Sequence, residues 1–407
     1  MPLFPPREEQ RRAGWRYKGN AKIDHLTSNG TIQIEREIYR QSSRGRDDRI
    51  DRWLGLSDGS VSVEARELCC RIVLPGGSFS KAAENLLRIG QIRVSDERLR
   101  QITEREGGSV LEASRLAILK PAWAASDCKV EPNGPTRVMV GSDGVMVPVI
   151  TESEKRKRRE NVRRRGKARL RRIGIKKAKR RRIKGSDLGY KEFKIVAFYD
   201  QSRRRQHVVG TCGDHKVLGR LARREACRLN LSDADEKLSL TDGAEWIFRQ
   251  LTVHIPILDA MILDFYHMAE HVAQAARICF GETGDTTERW VHQMLTTAKE
   301  QGPAAVLACL HETRKTVRSA TKRTALNKLE QYIVKRTAMM DYPDFLKKGF
   351  DIGSGPTEAF CKTLTARLKG SGMRWNVRNA EAVMALAALE QSGQWKSYWK
   401  LQCRSAA

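Results

Sequence analysis

The sequence predicts an α/β fold, in which a mixed sheet of the α+β kind is followed by a long helical region. Three observations lead to this expectation. Short β-rich segments alternate with segments of helical spacing between residues 137 and 264, and residues 268–348 keep helical spacing throughout. Single acidic residues also follow apolar runs or open a helix at three distant points, where the ends of elements would place them.

The elements of the expected sheet follow one another in the order β-β-β-α-β-α-β. Strands are expected at 137–149, 190–199, 206–212, 237–241 and 258–264, and the helices between them at 216–229 and 243–251. This is the element order of the ribonuclease H-like fold, in which carboxylates on the first strand, at the end of the fourth strand and on a late helix converge. We therefore expect a ribonuclease H-like catalytic core, made of residues 136–265 and 350–398.

The remaining regions are expected to be helical. Residues 266–349 form an insertion domain, and residues 1–130 form an N-terminal region with a strand at 30–38. Within that region, residues 78–105 predict two helices joined by a turn, with Ser95 as the N-cap of the second helix. This pair resembles a helix-turn-helix. An ordinary helical hairpin without a DNA contact is an equal alternative.

Composition indicates a soluble globular protein with a polyanionic partner. The chain of 407 residues is 40% hydrophobic and carries 76 Lys and Arg against 48 Asp and Glu, a formal net charge of +28. Such an excess favours nucleic acid, because Lys and Arg displace counterions from phosphates. A membrane partner is disfavoured, since Asp259 and Asp264 interrupt the most apolar stretch. Nine cysteines without a Cys-x-x-Cys pair suit a reducing cytoplasm.

A very basic segment is inserted between the first two expected strands, at residues 151–188. From Lys155 to Lys184, 19 of 30 residues are Lys or Arg. Such a segment repels itself, so it predicts a mobile loop or a helix that becomes ordered against phosphates. Alternatives are a targeting signal and a solubilising segment. The candidate DNA-binding residues in it are Arg163, Arg164, Arg165, Arg180, Arg181 and Arg182.

Three acidic residues predict a two-metal site. Asp143 lies inside an apolar run, Asp242 follows another, and Glu358 opens a helix after a Gly-Ser-Gly-Pro segment. A lone carboxylate among apolar residues is costly unless a cation compensates its charge. Phosphodiester cleavage by two metals needs oxygen ligands, for which Mg²⁺ is suited and Mn²⁺ is a substitute. We therefore expect Asp143, Asp242 and Glu358 to be the catalytic residues and metal ligands.

Helical geometry also places Lys362, Thr365 and Lys369 on the face of Glu358, so that two lysines would follow a DNA backbone beside the site. The alternative is an ordinary surface pair of Glu358 with Lys362.

Two further groups of residues have open roles. Asp264, His267 and His271 share one helical face, which allows a zinc site, although a packing or substrate-orienting role for His267 is preferred. Arg374 and Trp375 follow a Gly-Ser-Gly turn, and could hold a phosphate and stack on a base. Trp375 could equally belong to the core.

The chain resembles the DDE transposases of bacterial insertion sequences, closest to the ISKra family and more distantly similar to Mutator-like transposases. The matching segments are SDGVMVPV, YKEFKIVAFY, LTDGAEWI, LDFYHMAEH, GSGPTEAFCKTLTARLKGSGMRW and NAEAVMALAALEQS. The resemblance implies that Asp143, Asp242 and Glu358 form the catalytic triad, and that Asp264 and His267 match the D-x-x-H element of Mutator relatives. It also implies a helical insertion between the second Asp and the Glu.

These observations predict a Mg²⁺-dependent transposase that binds the terminal repeats of its element and target DNA, cleaves a phosphodiester bond and transfers the strand. The resemblance implies a bacterial, nucleoid-associated cytoplasmic protein that acts as a homo-oligomer in a synaptic complex. Two alternatives are a non-catalytic DNA-binding regulator derived from a transposase and a ribonuclease H-like nuclease for structured RNA or junctions.

Overall fold

The structure is a computed structural model that describes residues 15–41, 45–46, 60–171, 189–370 and 372–406. The chain divides into two compact units. The first contains the residues up to Leu119 together with Ala366–Glu390 and Gln394–Ala407, and the second contains Lys120–Thr365 and Gln391–Gly393. Of the candidate DNA-binding residues, Arg180, Arg181 and Arg182 lie outside the described residues.

The first unit begins with an antiparallel hairpin. Strand β1 (Arg16–Thr27) pairs with β2 (Gly30–Gln41), and the short β3 (Gly45–Arg46) pairs with the end of β2. Gly30 has a φ of +106°, a conformation that favours glycine, and the Thr27 hydroxyl donates to its carbonyl at 2.7 Å. The strand expected from Gly30 is confirmed, and it extends three residues further than expected, to Gln41.

The helices of the first unit are α1 (Val63–Val73), α2 (Phe79–Gly90), α3 (Asp96–Arg115), α13 (Val377–Gln391) and α14 (Trp395–Ala406). Serine side chains cap the first three: Ser62, Ser78 and Ser95 each accept a hydrogen bond from the backbone N–H three residues later. The predicted cap at Ser95 is thus confirmed, as are the two helices at 78–105. A contact of α2 and α3 with DNA stays a prediction, with the ordinary helical hairpin as its alternative.

A five-stranded mixed sheet forms the centre of the second unit. Its strands are β4 (Arg137–Val149), β5 (Gly189–Asp200), β6 (Gln206–Thr211), β7 (Glu236–Thr241) and β8 (Ala260–Leu263). The spatial order is β6-β5-β4-β7-β8; β4, β5 and β6 are antiparallel, whereas β4, β7 and β8 run parallel. All five strands lie where the sequence predicts them, and the mixed sheet is confirmed.

Helices cover both faces of this sheet. On one face, α5 (His215–Arg228) and α6 (Glu245–His254) pack their apolar residues against β4 and β5, in a core that includes Val138, Val140, Val196 and Phe198. On the other face, α12 (Gly355–Thr365) lies against β4 and β5, where Phe360 packs edge-on against Tyr199 with ring centroids 5.3 Å apart. The sheet is therefore buried on both sides next to the candidate carboxylates.

The basic segment begins as a helix. Residues Glu152–Arg171 form α4 directly after β4, and Arg164 in this helix is exposed. Arg163 and Arg165 belong to the same helix. The remaining residues of the segment, 172–188, lie outside the described residues.

Helices fill the region between β8 and α12, as the sequence predicts. They are α7 (Phe265–Phe280), α8 (Asp285–Gln301), α9 (Pro303–Thr316), α10 (Ala320–Val334) and α11 (Tyr342–Lys347). In the part of the chain that the structure describes, no helix combines the length and the apolar character that a membrane crossing needs.

Helix α12 is shorter than the sequence predicts. It was expected to continue to Lys369, but it ends at Thr365. The carbonyl of Leu368 accepts a hydrogen bond from the indole N–H of Trp375 at 3.1 Å, and the chain then turns through Gly372, whose φ is +74°. Because this tertiary bond and turn replace the next helical turn, Lys369 is not part of the helix that carries Glu358.

Candidate active site

Asp143 and Asp242 occupy equivalent positions on two neighbouring parallel strands. In the ladder between β4 and β7, Val140 lies opposite Ser239. Asp143 lies three residues beyond Val140, and Asp242 lies three residues beyond Ser239. The ladder ends at the pair of Val140 and Ser239 and β7 ends at Thr241, so Asp143 on β4 and Asp242 just after β7 lie at matching positions three residues beyond the last pair.

Asp264 continues the same row on the next strand. Thr241 lies opposite Leu263 in the ladder between β7 and β8, so Asp242 and Asp264 are the next residues on each strand. The backbone N–H of Asp264 donates to the carbonyl of Thr241 at 2.7 Å, which extends the pairing by one step. Three aspartates thus occupy one row across β4, β7 and β8.

Helix α12 brings Glu358 to this row. A Cβ atom on Gly141 would lie 1.9 Å from the Thr357 hydroxyl oxygen, so only glycine allows the helix to approach β4 this closely. Gly141 precedes Asp143 by two residues, and Thr357 precedes Glu358 by one. The close packing of the helix on the strand therefore brings the start of α12, which carries Glu358, against the strand that carries Asp143.

Electrostatics link the three predicted catalytic residues. The pKa of Asp143 is raised above its ordinary value, first by burial and further by the negative charges of Asp242 and Glu358. The Gly144 N–H and the Cys361 thiol act in the opposite direction by hydrogen bonding. Asp143 therefore lies within electrostatic range of both of the other acids.

Local hydrogen bonds orient the two aspartates. One carboxylate oxygen of Asp143 accepts from the Gly144 N–H at 2.6 Å, and one of Asp242 accepts from the Ala244 N–H at 2.9 Å. Among the described residues, no Lys, Arg or His nitrogen lies within 4 Å of either carboxylate. Within the described ranges, neither carboxylate therefore forms an ion pair.

Glu358 makes the ordinary surface contact that the sequence offers as an alternative. Its carboxylate lies 3.6 Å from the Lys362 ammonium, and both side chains are exposed. The predicted face with two lysines is not formed, because Thr365 is fully buried and Lys369 lies beyond the end of α12. Only Lys362 accompanies Glu358 on the exposed side of the helix.

The fit of these residues to Mg²⁺ is partial. Within the described ranges, no three His, Cys, Asp or Glu side chains are close enough together to hold an ion. The donor types nevertheless suit Mg²⁺, which prefers carboxylate oxygens, and a cation would relieve the repulsion that raises the pKa of Asp143. A shared site requires Glu358 to leave Lys362 and turn towards Asp143.

Asp264 is occupied by structural hydrogen bonds. It caps α7 by accepting from the Tyr266 N–H at 3.1 Å, and it accepts from the backbone N–H and the hydroxyl of Ser354 at 3.2 and 2.7 Å. The Phe265 N–H also donates to the Ile352 carbonyl at 2.8 Å. Asp264 therefore fixes the segment that leads into α12, as a positioning residue.

The two histidines that follow Asp264 pack against aromatic neighbours. His267 is half-buried, lies edge-on to His271 and has its Nδ1 3.8 Å from Glu270. His271 stacks on the Tyr332 ring with centroids 3.9 Å apart, and burial lowers its pKa. The zinc site considered for this face is not formed by the described residues.

The candidate DNA-binding residues near the C-terminal end differ in exposure. Lys362 and Lys369 are exposed, and Arg374 is half-buried. Trp375 is only 5% exposed, and its ring lies edge-on to Phe79 with centroids 6.0 Å apart. Of the two roles that the sequence allows for Trp375, the structure shows the core position, because its ring is packed within the first unit.

Residues that shape the site without carrying an acid were missed at the level of sequence. Gly141, Ser354 and Arg336 act through partners distant in the chain, and Arg336 donates to the Gly243 carbonyl at 2.9 Å. Gly243, with a φ of +73°, was visible as part of an Asp-Gly pair.

Comparison of the chain with protein-family models gives no match, and comparison with curated proteins gives none either.

Proposed function

We propose that the second unit is a ribonuclease H-like catalytic core and that the chain is a DDE transposase of the ISKra and Mutator-like kind. The observation that carries the proposal is the row formed by Asp143 on β4 and Asp242 just after the neighbouring parallel strand β7, with Thr357, the residue before Glu358, packed against Gly141 of β4. The strand order β6-β5-β4-β7-β8 supports it, because the central strand carries the first acid. The helices between β8 and α12 support the insertion that the resemblance implies.

In this proposal Asp143, Asp242 and Glu358 hold Mg²⁺ together. When bound, Mg²⁺ activates the attacking oxygen and stabilises the leaving oxygen of a phosphodiester. The Gly144 and Ala244 N–H groups keep one oxygen of each aspartate engaged and thereby fix the direction of the other. Asp264, through Ser354, sets the start of α12 and thus the place of Glu358.

DNA is the proposed substrate, in the form of element ends and target DNA. The net charge of +28 and the exposed positions of Arg164 and Lys362 support a phosphate-binding surface. We further propose a homo-oligomer in a synaptic complex, located with the bacterial nucleoid in the cytoplasm, since both DNA ends must be held together for strand transfer.

The test is cleavage of DNA that carries the sequences flanking the gene, with Mg²⁺ and with a chelator. Asp143→Asn is expected to abolish cleavage and to leave DNA binding nearly intact, because it removes one charge and almost no volume. Asp285→Asn is the matched control, since Asp285 is an exposed acid at the start of α8.

Undiminished cleavage by Asp143→Asn would refute the catalytic role. If the wild-type protein binds DNA in chelator and never cuts it with Mg²⁺ or Mn²⁺, the chain is a non-catalytic DNA-binding regulator. Preferential cleavage of structured RNA or junctions would instead identify a nuclease with the same active site.

A further inference from the structure

A cavity of about 1110 Å³ lies next to the row of aspartates. It is bounded by the start of α6, the middle of α7 and the length of α10. Gly243, the residue that follows Asp242, is part of its wall. Pockets for molecules of nucleotide size measure roughly 300–1,000 Å³. The cavity therefore has room for a nucleotide at a place that adjoins the proposed cleavage site.

The wall of the cavity is strongly cationic. It contains Arg249, Lys328, Lys335 and Arg336 and a single carboxylate, Glu245, which pairs with Arg249. Lys328 and Lys335 are exposed, and within the described ranges neither has a carboxylate oxygen within 4 Å. This balance suits a ligand that carries phosphate groups.

Aromatic side chains form another part of the wall. The Phe248 side chain lines the cavity and is 40% exposed, so part of its ring is accessible to a ligand. The ring of Tyr332 is fixed, since His271 stacks on it and the guanidinium carbon of Arg336 lies 4.0 Å from its centroid. Aromatic rings beside cations are typical of sites for unpaired nucleotides.

The hydroxyl of Tyr332 is a buried polar group without a hydrogen-bond partner among the described residues. Burial raises the pKa of Tyr332, so the hydroxyl stays protonated and remains a donor near neutral pH. A buried donor without a partner is unfavourable, and because the oxygen has almost no exposed surface, a ligand acceptor would satisfy it only after a small shift of the neighbouring side chains. The carbonyl and ring nitrogen atoms of a nucleobase are acceptors of this kind.

We propose that this cavity binds one unpaired nucleotide of the DNA strand that lies across the aspartate row, with its base stacked on Phe248, the edge of the base towards Tyr332, and its phosphates near Lys328 and Lys335. Duplex DNA is too wide for the cavity, so the nucleotide must leave the base stack, at a cost of a few kcal/mol that stacking and hydrogen bonds offset. The proposal rests on the proposed function in that DNA is the ligand.

The test compares the binding of two fluorescent duplexes of equal length in chelator, so that no cleavage occurs. One is fully paired, and the other has a single unpaired 2-aminopurine. The wild-type protein is expected to bind the second about tenfold more tightly, as for one stacked base, and to change the fluorescence of the 2-aminopurine. Phe248→Ala should lose most of this preference, and Tyr332→Phe should weaken it.

Controls come from the same helices and from the neighbouring ones. Val253→Ala changes an exposed residue of α6 outside the cavity wall, and it should keep the full preference. The double variant Lys328→Ala with Lys335→Ala should weaken binding of the unpaired nucleotide more than Lys315→Ala with Arg318→Ala, which removes the same charge from exposed positions outside the wall.

Equal affinity of the wild-type protein for both duplexes would overturn the proposal, as would a preference that survives in both Phe248→Ala and Tyr332→Phe. The outcome is separable from the proposed function. A preference for the unpaired nucleotide without Mg²⁺-dependent cleavage would support the cavity assignment and refute the transposase proposal. Mg²⁺-dependent cleavage without that preference would support the transposase proposal and refute the cavity assignment.

Discussion

Asp264 and Ser354 are joined by two hydrogen bonds, although 90 residues separate them in sequence: the Ser354 N–H donates to one carboxylate oxygen at 3.2 Å and its hydroxyl to the other at 2.7 Å. The Ser354 carbonyl in turn accepts from the Glu358 N–H at 3.2 Å. A buried aspartate that follows one strand is therefore bonded to the segment from which the helix with Glu358, the proposed third catalytic acid, begins.

Ser354→Ala tests this relationship. Loss of the hydroxyl leaves a buried carboxylate oxygen without its partner, an effect on the order of 1–3 kcal/mol. We expect the cleavage rate to fall about tenfold, because misplacing Glu358 at a cost of roughly 1.4 kcal/mol in activation free energy lowers the rate by a factor of ten. DNA affinity in chelator should stay unchanged. Ser354→Thr should recover part of the activity. Ser319→Ala, at the exposed start of α10, is the control. Full activity of Ser354→Ala would show that the bond does not position Glu358.

Gly141→Ala tests the close approach of α12 to β4. The added Cβ would lie 1.9 Å from the Thr357 hydroxyl oxygen, so strand and helix must separate, with a loss of about 1–3 kcal/mol in the free energy of unfolding. The double variant with Thr357→Ala should recover much of this loss in chemical denaturation. Gly108→Ala, which meets no atom within 4 Å inside α3, should not destabilise the protein. Additive effects at Gly141 and Thr357 would contradict the contact.

The raised pKa of Asp143 predicts a pH dependence of stability in the absence of metal. The folded state binds the proton of this carboxyl more tightly than the unfolded state does. This contribution to the free energy of unfolding therefore decreases as the pH rises from the ordinary Asp pKa through the raised value. Asp143→Asn should remove that decrease and raise Tm in chelator at neutral pH, by on the order of 1–3 °C.

Mg²⁺ should raise the Tm of the wild-type protein and not that of Asp143→Asn, because binding to the folded state alone stabilises it. Thermal unfolding across pH, with and without Mg²⁺, measures both effects. A lower Tm for the variant in chelator at neutral pH would mean that the Asp143 charge is already compensated within the protein.

Trp375→Ala separates a core residue from a DNA contact. Removing a buried ring and its hydrogen bond to the Leu368 carbonyl should lower the free energy of unfolding by roughly 3–5 kcal/mol. Lys362→Ala should instead leave stability nearly unchanged and weaken DNA binding, with a smaller salt dependence. Chemical denaturation and binding at several salt concentrations distinguish the two. If Trp375→Ala kept normal stability but bound DNA more weakly, Trp375 would be a base-stacking residue and not a core residue.

The sequence contains enough local information to place the elements of the sheet. Periodicity locates all five strands, and the serine before α3 identifies its start, because capping and alternation depend on neighbours in the chain. The end of α12 could not be predicted in this way, since it depends on the bond from Trp375 to Leu368.

The site was predictable only in part for the same reason. Apolar runs indicate that Asp143 lies within a strand and that Asp242 follows one, but their shared row depends on the register between strands. The contacts of Gly141 with Thr357 and of Asp264 with Ser354 join distant segments, and neither leaves a local signal. The buried state of Thr365 was also missed, because helical geometry shows which residues share a face and not what covers that face.

The most direct test of the central claim is Mn²⁺ binding, measured by electron paramagnetic resonance on the wild-type protein and on Asp143→Asn, Asp242→Asn and Glu358→Gln, with Asp285→Asn as control. If the three acids form one site, each of the first three variants should bind Mn²⁺ at least about tenfold more weakly, as expected when a carboxylate ligand is lost. The control should bind as the wild-type protein does. Wild-type Mn²⁺ affinity in Asp143→Asn and Glu358→Gln would contradict the shared metal site.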